Sequence, residues 1–471
     1  MTAGLRDSND LGAVVKRHLG LGLPKELGGS DWGGMFLTDQ QLEYCRNDVV
    51  HLHRLHEVLQ TKLANPANDD GDGVEGVDLA RVAALEMSLI PLVVDIRLRG
   101  IKIDRSRLEQ VLSEYEASKK ELATELRTEL RAPKLNFASS DQLQRALKTF
   151  GLELSDTSKE TLSAIVEPVA GQILRYRELA GLCTTLKGWL ENLDADNRLY
   201  PPLNPLGADT GRFSCQKPNL LAVPRNSEVR GCFIPDDLEH VLIEPDYANL
   251  EMRIAAWFAR EKRMLDVFRN GGDIHGETAE RVLRDRQARQ PAKPVNFGCL
   301  YGGGAERLRI TARTEFGIEF APEQAKQYHE GFFNAYPNLR RWHEAARNFS
   351  PELTYGATVF GRRCWADPND RADHWNWNRF QLATNFEVQG AGADALKIAL
   401  AKLYKQFPGG STRILLPVHD SILLQAPKRQ AQEVAETVCG TMREASSETL
   451  CPDFPVAVDT SISERWGEKN S

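Results

Sequence analysis

The chain has 471 residues, 41% of them hydrophobic, and a formal charge of −7. It is long enough for several packed lobes and too acidic for an all-over basic surface, so any nucleic-acid contact must use a locally positive groove. Its eight cysteines stand singly without Cys-x-x-Cys spacing, which argues against a zinc or disulfide framework, and with no signal-peptide core or membrane-length apolar run a soluble intracellular protein is expected.

From Leu11 to Leu63 the pattern is helical. It contains Tyr44-Cys45-Arg46-Asn47-Asp48, with Tyr44 and Asp48 on one helical face, a spacing common on ordinary surface helices. Residues 64–78, with Asn-Asp-Asp-Gly-Asp-Gly inside, have the composition of a linker and mark a domain boundary. An apolar helical run from Leu79 to Leu98 stops at Gly100, and Ile101-Lys102-Ile103 alternates like a short strand. Asp104 can then cap a long helix whose stripe runs through Leu108, Leu112, Tyr115, Leu122 and Leu126. The composition suits a projecting helical lever, and equally a helical bundle with solvated charges.

Gly and Pro next make irregular backbone, where Asp209-Thr210-Gly211-Arg212 and Lys217-Pro218-Asn219 present Arg212 and Asn219, which a plain loop would also do. The run Val241-Leu242-Ile243-Glu244-Pro245-Asp246-Tyr247 reads as a buried strand entering a helix, with Asp246 at the strand end and Glu251 five residues on. Residues Ile414 to Leu424 read as a hairpin with Asp420 near its turn, between His419 and Ser421. A single Asp at such a place is most often a cap or turn residue. Two of them, each after a buried strand, suit paired metal ligands.

Between those two segments, Asp273-Ile274-His275 opens a helix, and Arg289, Lys293, Phe297 and Tyr301 then recur every four residues. On a helix they form one slowly drifting stripe, cationic first and aromatic after. Cations and free N–H groups can meet a polyphosphate there, with the Phe face against a base or sugar. Taken alone, the spacing fits an ordinary amphipathic helix better. Farther on come Phe360-Gly361-Arg362-Arg363 and the run Asn385 to Asp394, where Asn385 and Gln389 share a helical face and the small residues allow close core packing.

In this order the blocks resemble those of family A DNA polymerases, the group that includes bacterial DNA polymerase I, over nearly the whole chain. The resemblance implies an α+β right hand of palm, fingers and thumb. Residues 1–63 would be the C-terminal remnant of a 3′–5′ exonuclease domain, 64–78 a linker, 79–200 the thumb, 201–268 the first part of the palm, 269–378 the fingers and 379–471 the second part of the palm. It implies template-directed addition of deoxynucleotides to a primer 3′-hydroxyl, in replication or repair. Asp246 and Asp420, with the Tyr247 carbonyl, are expected to hold two Mg²⁺ ions. Arg289, Lys293 and His275 are expected at the triphosphate, with Phe297 on the same nucleotide stripe, and Tyr301 with Glu251 at the sugar. Arg212, Asn219, Asn385, Gln389 and His419 are expected on primer–template DNA. Arg and Asn donors suit that task, because every base pair offers minor-groove acceptors. The partners implied are primer–template DNA and deoxynucleoside triphosphates, for a monomer with room for an accessory clamp. Its place would be the cytoplasm of a bacterial or phage-infected cell, an organelle not being excluded.

Some residues depart from the family pattern. Pro294 cannot donate to the Gln290 carbonyl, so the stripe helix is expected to begin late or bend, which bears on Arg289, while Lys293, Phe297 and Tyr301 are expected on regular helix. Ser421 replaces the acidic residue that commonly follows the catalytic Asp, and Gln381 stands where many relatives have Arg. Tyr44 and Asp48 match the exonuclease's final Tyr-x-x-x-Asp, but no Asp-x-Glu precedes them, so proofreading is expected to be absent. Two rivals are a single-subunit RNA polymerase, disfavoured by Glu251, and a non-catalytic DNA-binding relic, disfavoured by Asp246, Asp420 and Lys293.

Overall fold

The structure, a computed structural model, describes residues 8–24, 27–65, 77–224, 227–349, 354–367 and 377–468; most of the expected linker, 66–76, lies outside them. Three helices come first, Leu11–Leu19, Asp39–Val50 and Leu52–Ala64. The helical pattern expected from Leu11 to Leu63 is interrupted, for the described residues from 20 to 38 form no helix or strand. Gly20, at φ 72°, ends the first helix, and Thr38 restarts the pattern through a reciprocal capping box with Gln41.

Helix Leu79–Arg99 ends at Gly100, and Ile101–Lys102 pairs antiparallel with Arg198–Leu199. This small ribbon closes the base of the thumb. Asp104 caps Arg105–Glu129 by accepting from the Arg107 N–H, and that helix runs against Pro168–Glu191. The thumb tip has its own apolar core, with Leu126, Leu143, Leu147, Leu162 and Ile173 at its centre. A lever with separate packing can shift relative to the rest at little cost in the main core. Helix Leu79–Arg99 belongs instead to the main core, where it packs on helix Glu387–Gln406.

The palm is a four-stranded antiparallel sheet of β1 (His240–Tyr247), β2 (Arg413–Val418), β3 (Ser421–Pro427) and β4 (Val458–Ser463), in the order β4-β1-β3-β2. Strands β2 and β3 are buried almost throughout, hence their unbroken apolar runs. Helix Ala431–Thr449 lies on β1 and β4, and Glu387–Gln406 packs on that helix.

The fingers are helical, built from Ile274–Thr278, Arg289–Leu300, Ala305–Phe316, Pro322–Ala335 and Pro337–Phe349. The stripe helix begins at Arg289 despite Pro294, so of the late start or bend expected, the late start does not occur. Pro294, the sixth residue of the helix, lies past the first turn and forfeits one bond, the donation to the Gln290 carbonyl, but burial of Ala292, Val295, Cys299 and Leu300 outweighs that loss. The second correction is at the other end. Tyr301 is the C-cap, at φ −103° and outside regular helix, because Gly302 turns the chain with φ 74°. Across the cleft, Arg313 donates to the Ser163 carbonyl at 3.1 Å, so fingers and thumb touch. No helix among the described residues is long and apolar enough to cross a membrane.

Candidate active site

Asp246, next to last in β1, stands in register with Ser421 of β3 on one side and Asp459 of β4 on the other. Cross-strand partners project to the same face, so all three side chains point together. His419 and Asp420 form the two-residue turn between β2 and β3, closed by the Val418–Ser421 pair. His419 holds φ 55°, a left-handed conformation that two-residue hairpin turns require and that His adopts more readily than most residues. The Tyr247 N–H donates to the Asp420 carbonyl at 3.1 Å, fastening that turn beside the end of β1. Tyr247 is anchored in turn, its hydroxyl donating to the Met442 carbonyl at 2.7 Å.

Glu244, Asp246, His419, Asp420, Ser421 and Asp459 line a cavity of about 370 Å³. Carboxylates with a backbone carbonyl are the hard oxygen donors that Mg²⁺ prefers. Among the described residues no three His, Cys, Asp or Glu side chains close into a full metal cage. Such a sparse set suits an ion that keeps waters and phosphate oxygens in its other positions. Glu244 is paired with Arg230 at 3.0 Å. Ser421 gives its hydroxyl proton to the Val418 carbonyl at 3.0 Å, the nearer of its two acceptors, with Glu244 at 3.5 Å.

A second group joins palm and fingers. Glu251, in the first turn of helix Leu250–Phe258, accepts from Arg212 on one oxygen and from the Tyr301 phenol on the other. Gln389 also bonds the phenol, and burial with the Glu251 charge beside it holds the Tyr301 phenol well above its ordinary pKa. The phenol therefore stays a donor. Gly211 lets Arg212 reach this place: its φ is 77°, and a Cβ there would lie 2.5 Å from Arg362 Nε.

The stripe residues face outward to different degrees. Arg289 is exposed and forks onto both carboxylate oxygens of Asp273. Lys293 is half-buried and has no ion pair among the described residues, and the Phe297 ring is exposed. His275 is turned inward instead, 4% exposed, between Asn249 and Asn296. Burial pushes its pKa down to about 4, so the ring is neutral. Of the expected DNA contacts, Arg212, Gln389 and Asn385 gather near Tyr301. Asn385 donates to Gln381, which reaches the Tyr301 carbonyl at 3.4 Å. Asn219 stays apart, exposed and capping the short turn Leu220–Ala222. Tyr44 and Asp48 lie on helix Asp39–Val50, where Tyr44 packs against Trp32.

Sequence reading missed several members of the site. Glu244 was legible as the i−2 neighbour of Asp246 on a strand, which shares its face. Asp459 becomes visible only once β4 is in register with β1, and Asn249 and Asn296 only through the bonds they make to His275.

An antiparallel palm carrying two aspartates, with a cationic and aromatic helix facing it, defines a nucleotidyltransferase of the template-directed polymerase class. The model of DNA polymerase family A matches residues 105–468, and the chain belongs to that family, the DNA-directed DNA polymerases. Members of the family are divalent-metal dependent. The chain is similar to DNA polymerase I of Aquifex aeolicus (strain VF5), 31% identical over 98% of this chain and 81% of that protein. It is similar too to the thermostable DNA polymerase I of Thermus thermophilus, 31% identical over 81% of this chain but only 48% of the relative. The POL domain of Pol1 from M. smegmatis, solved with DNA primer-template and dNTP, shares the fold at a TM-score of 0.79 and 23% identity, over 98% of this chain and 80% of that one.

Proposed function

We propose that this chain extends a primer 3′-hydroxyl on a DNA template, with Asp246, Asp420 and the Tyr247 carbonyl holding two Mg²⁺ ions. The observation that carries the reading is that one palm segment, Asp246 to Glu251, is bonded to the fingers at both Asn249–His275 and Glu251–Tyr301. A nucleotide held along the fingers stripe is thereby set against the carboxylates. Metal at these oxygens supplies a lower hydroxyl pKa and charge neutralisation at the leaving pyrophosphate. The protein's own residues do the rest. Lys293 and Arg289 take the polyphosphate, Arg289 exchanging Asp273 for phosphate oxygens through the same planar fork. His275 adds a neutral donor. Glu251 and Tyr301 bound the sugar, and Arg212, Gln389, Asn385, Asn219 and His419 lie on the primer–template side. The chain works as a monomer on primer–template DNA and deoxynucleoside triphosphates.

Primer extension with Mg²⁺ and the four deoxynucleotides tests this directly. No extension by the intact chain would defeat the reading. Tyr44 and Asp48 are in this reading structural, because one carboxylate and one phenol cannot hold two ions for hydrolysis. Shortening of a 3′-mismatched, 5′-labelled primer that vanishes in Asp48→Ala would refute that part.

A further inference from the structure

Behind the nucleotide stripe runs a line of buried polar groups. The Tyr336 hydroxyl lies 2.8 Å from Thr278 Oγ1, and Thr278 Oγ1 donates to Asn296 Oδ1 at 2.8 Å. Asn296 Nδ2 lies 2.8 Å from His275 Nδ1, and His275 Nε2 lies 3.1 Å from Asn249 Oδ1. Tyr336, Thr278 and Asn296 are all fully buried, so no water can rearrange their bonds.

The polarity of the line follows from the Asn296 amide as the structure orients it, its oxygen toward Thr278 and its nitrogen toward His275. An amide oxygen only accepts, so the one proton of Thr278 goes to Asn296, and Tyr336 must donate to Thr278. With its oxygen turned to Thr278, Asn296 presents its NH₂ to His275 Nδ1. That nitrogen is then the bare one, and the ring proton sits on Nε2, aimed at Asn249. Asn249 stands three residues beyond Asp246, at the left-handed start (φ 53°) of the helix that carries Glu251. The His275 ring also lies 5.7 Å from the Phe297 ring of the stripe.

We propose that Asn296, backed by Thr278 and Tyr336, is a positioning residue that fixes His275 as its Nε2–H tautomer, with Asn249 Oδ1 holding that hydrogen bond until a nucleotide phosphate oxygen takes it. The inference rests on the reading of His275 as a triphosphate contact. In the other tautomer a lone pair would face the phosphate and repel it. Protonation cannot easily supply the donor instead, since burial outweighs the nearby Asp273 carboxylate and, with Arg289 and Lys293, disfavours the imidazolium.

The test uses the full chain on a dideoxy-terminated primer–template, with the affinity for the next correct dNTP measured from about pH 6 to about pH 9, a range that brackets an ordinary histidine. Asn296→Asp keeps the shape but only accepts, so Nδ1 must carry the proton and Nε2 loses its hydrogen unless the ring is doubly protonated. Its affinity should fall about tenfold at high pH, the order of one lost hydrogen bond to a charged group, and recover as pH falls. The intact chain should show no such recovery. ¹⁵N NMR of labelled histidine should find the His275 proton on Nε2, and Thr278→Val, which lets the Asn296 amide turn over, should erode that preference. A proton on Nδ1 in the intact chain, or an Asn296→Asp affinity that does not recover at low pH, overturns the proposal. Unchanged affinity in His275→Ala overturns instead the triphosphate reading beneath it.

Discussion

Tyr301, at the end of the fingers stripe, donates its phenol to Glu251 on the first palm helix. Arg212 holds the other oxygen of the same carboxylate, so Glu251 is pinned from two sides. A side chain with so little rotamer freedom can act as a wall. If that wall stands where a ribose 2′-hydroxyl would go, Glu251→Ala should raise ribonucleotide over deoxynucleotide incorporation by about tenfold or more, the size of a steric discrimination in a small pocket. Single-nucleotide incorporation with each sugar measures the ratio. An unchanged ratio would remove Glu251 from the sugar pocket.

Asp246 and Asp420 are joined through the Tyr247 N–H and the Asp420 carbonyl, a backbone contact that either side-chain truncation leaves intact. Asp246→Ala or Asp420→Ala should therefore fold normally and lose extension by at least about a thousandfold, since metal-borne stabilisation is worth several kcal/mol. Primer–template affinity should change little, because duplex binding comes chiefly from phosphate contacts elsewhere. Chelation by EDTA should reproduce the loss in the intact chain. Near-normal extension in either variant would refute the metal assignment.

A buried ion network lies under the Arg212 loop. Arg362 Nη2 meets Glu86 at 2.6 Å, its Nε donates to Asp394 at 2.8 Å, and Lys397 bonds Glu86 at 2.5 Å and the Pro205 carbonyl at 2.6 Å. All four side chains are nearly inaccessible to water. Removing one partner strands the others, so Glu86→Ala should cost about 3–5 kcal/mol, read as a lower melting temperature. Because Arg362 packs against Gly211, the survivors should also extend primers poorly through a displaced Arg212. A variant with unchanged melting temperature would show the network to be dispensable.

The parts of this molecule that repeat locally were legible, and the parts that depend on distant registration were not. Asp104 as a cap and His419-Asp420 as a turn each follow from a few neighbouring residues, and the structure has both. Of the two effects expected of Pro294, a late start or a bend, the late start does not occur, because that expectation treats the fingers helix as isolated. Its buried face, including Val295 and Cys299, outweighs one missing hydrogen bond. Tyr301 was placed on regular helix because spacing extends a pattern indefinitely, while Gly302 ends it. What the sequence did not show of His275 is its partners: the structure bonds it to Asn249 and to Asn296, which lies 21 residues away in sequence. Nothing in the spacing of those residues announces such a bond.

Glu387 opens helix Glu387–Gln406 directly after the π-helical turn Leu382–Phe386. Burial pushes its carboxyl up to about 7, from an ordinary 4.5. Its surface remains partly accessible, so hydration moderates the effect and the direction is what counts. The folded-state pKa lies above the unfolded one, so the folded chain binds the proton more tightly. Stability from this group is then full below the unfolded value and is lost as pH rises through about 7. At about pH 8 the folded chain bears the cost of a partly buried charge, whereas at about pH 5 it holds a neutral acid. Glu387→Gln carries no charge at either pH. The variant should melt higher than the parent at the alkaline pH, and the gap should close on acidification. Thermal melts of both chains in matched buffers measure it. A gap that stays constant across that range would mean that Glu387 does not titrate there.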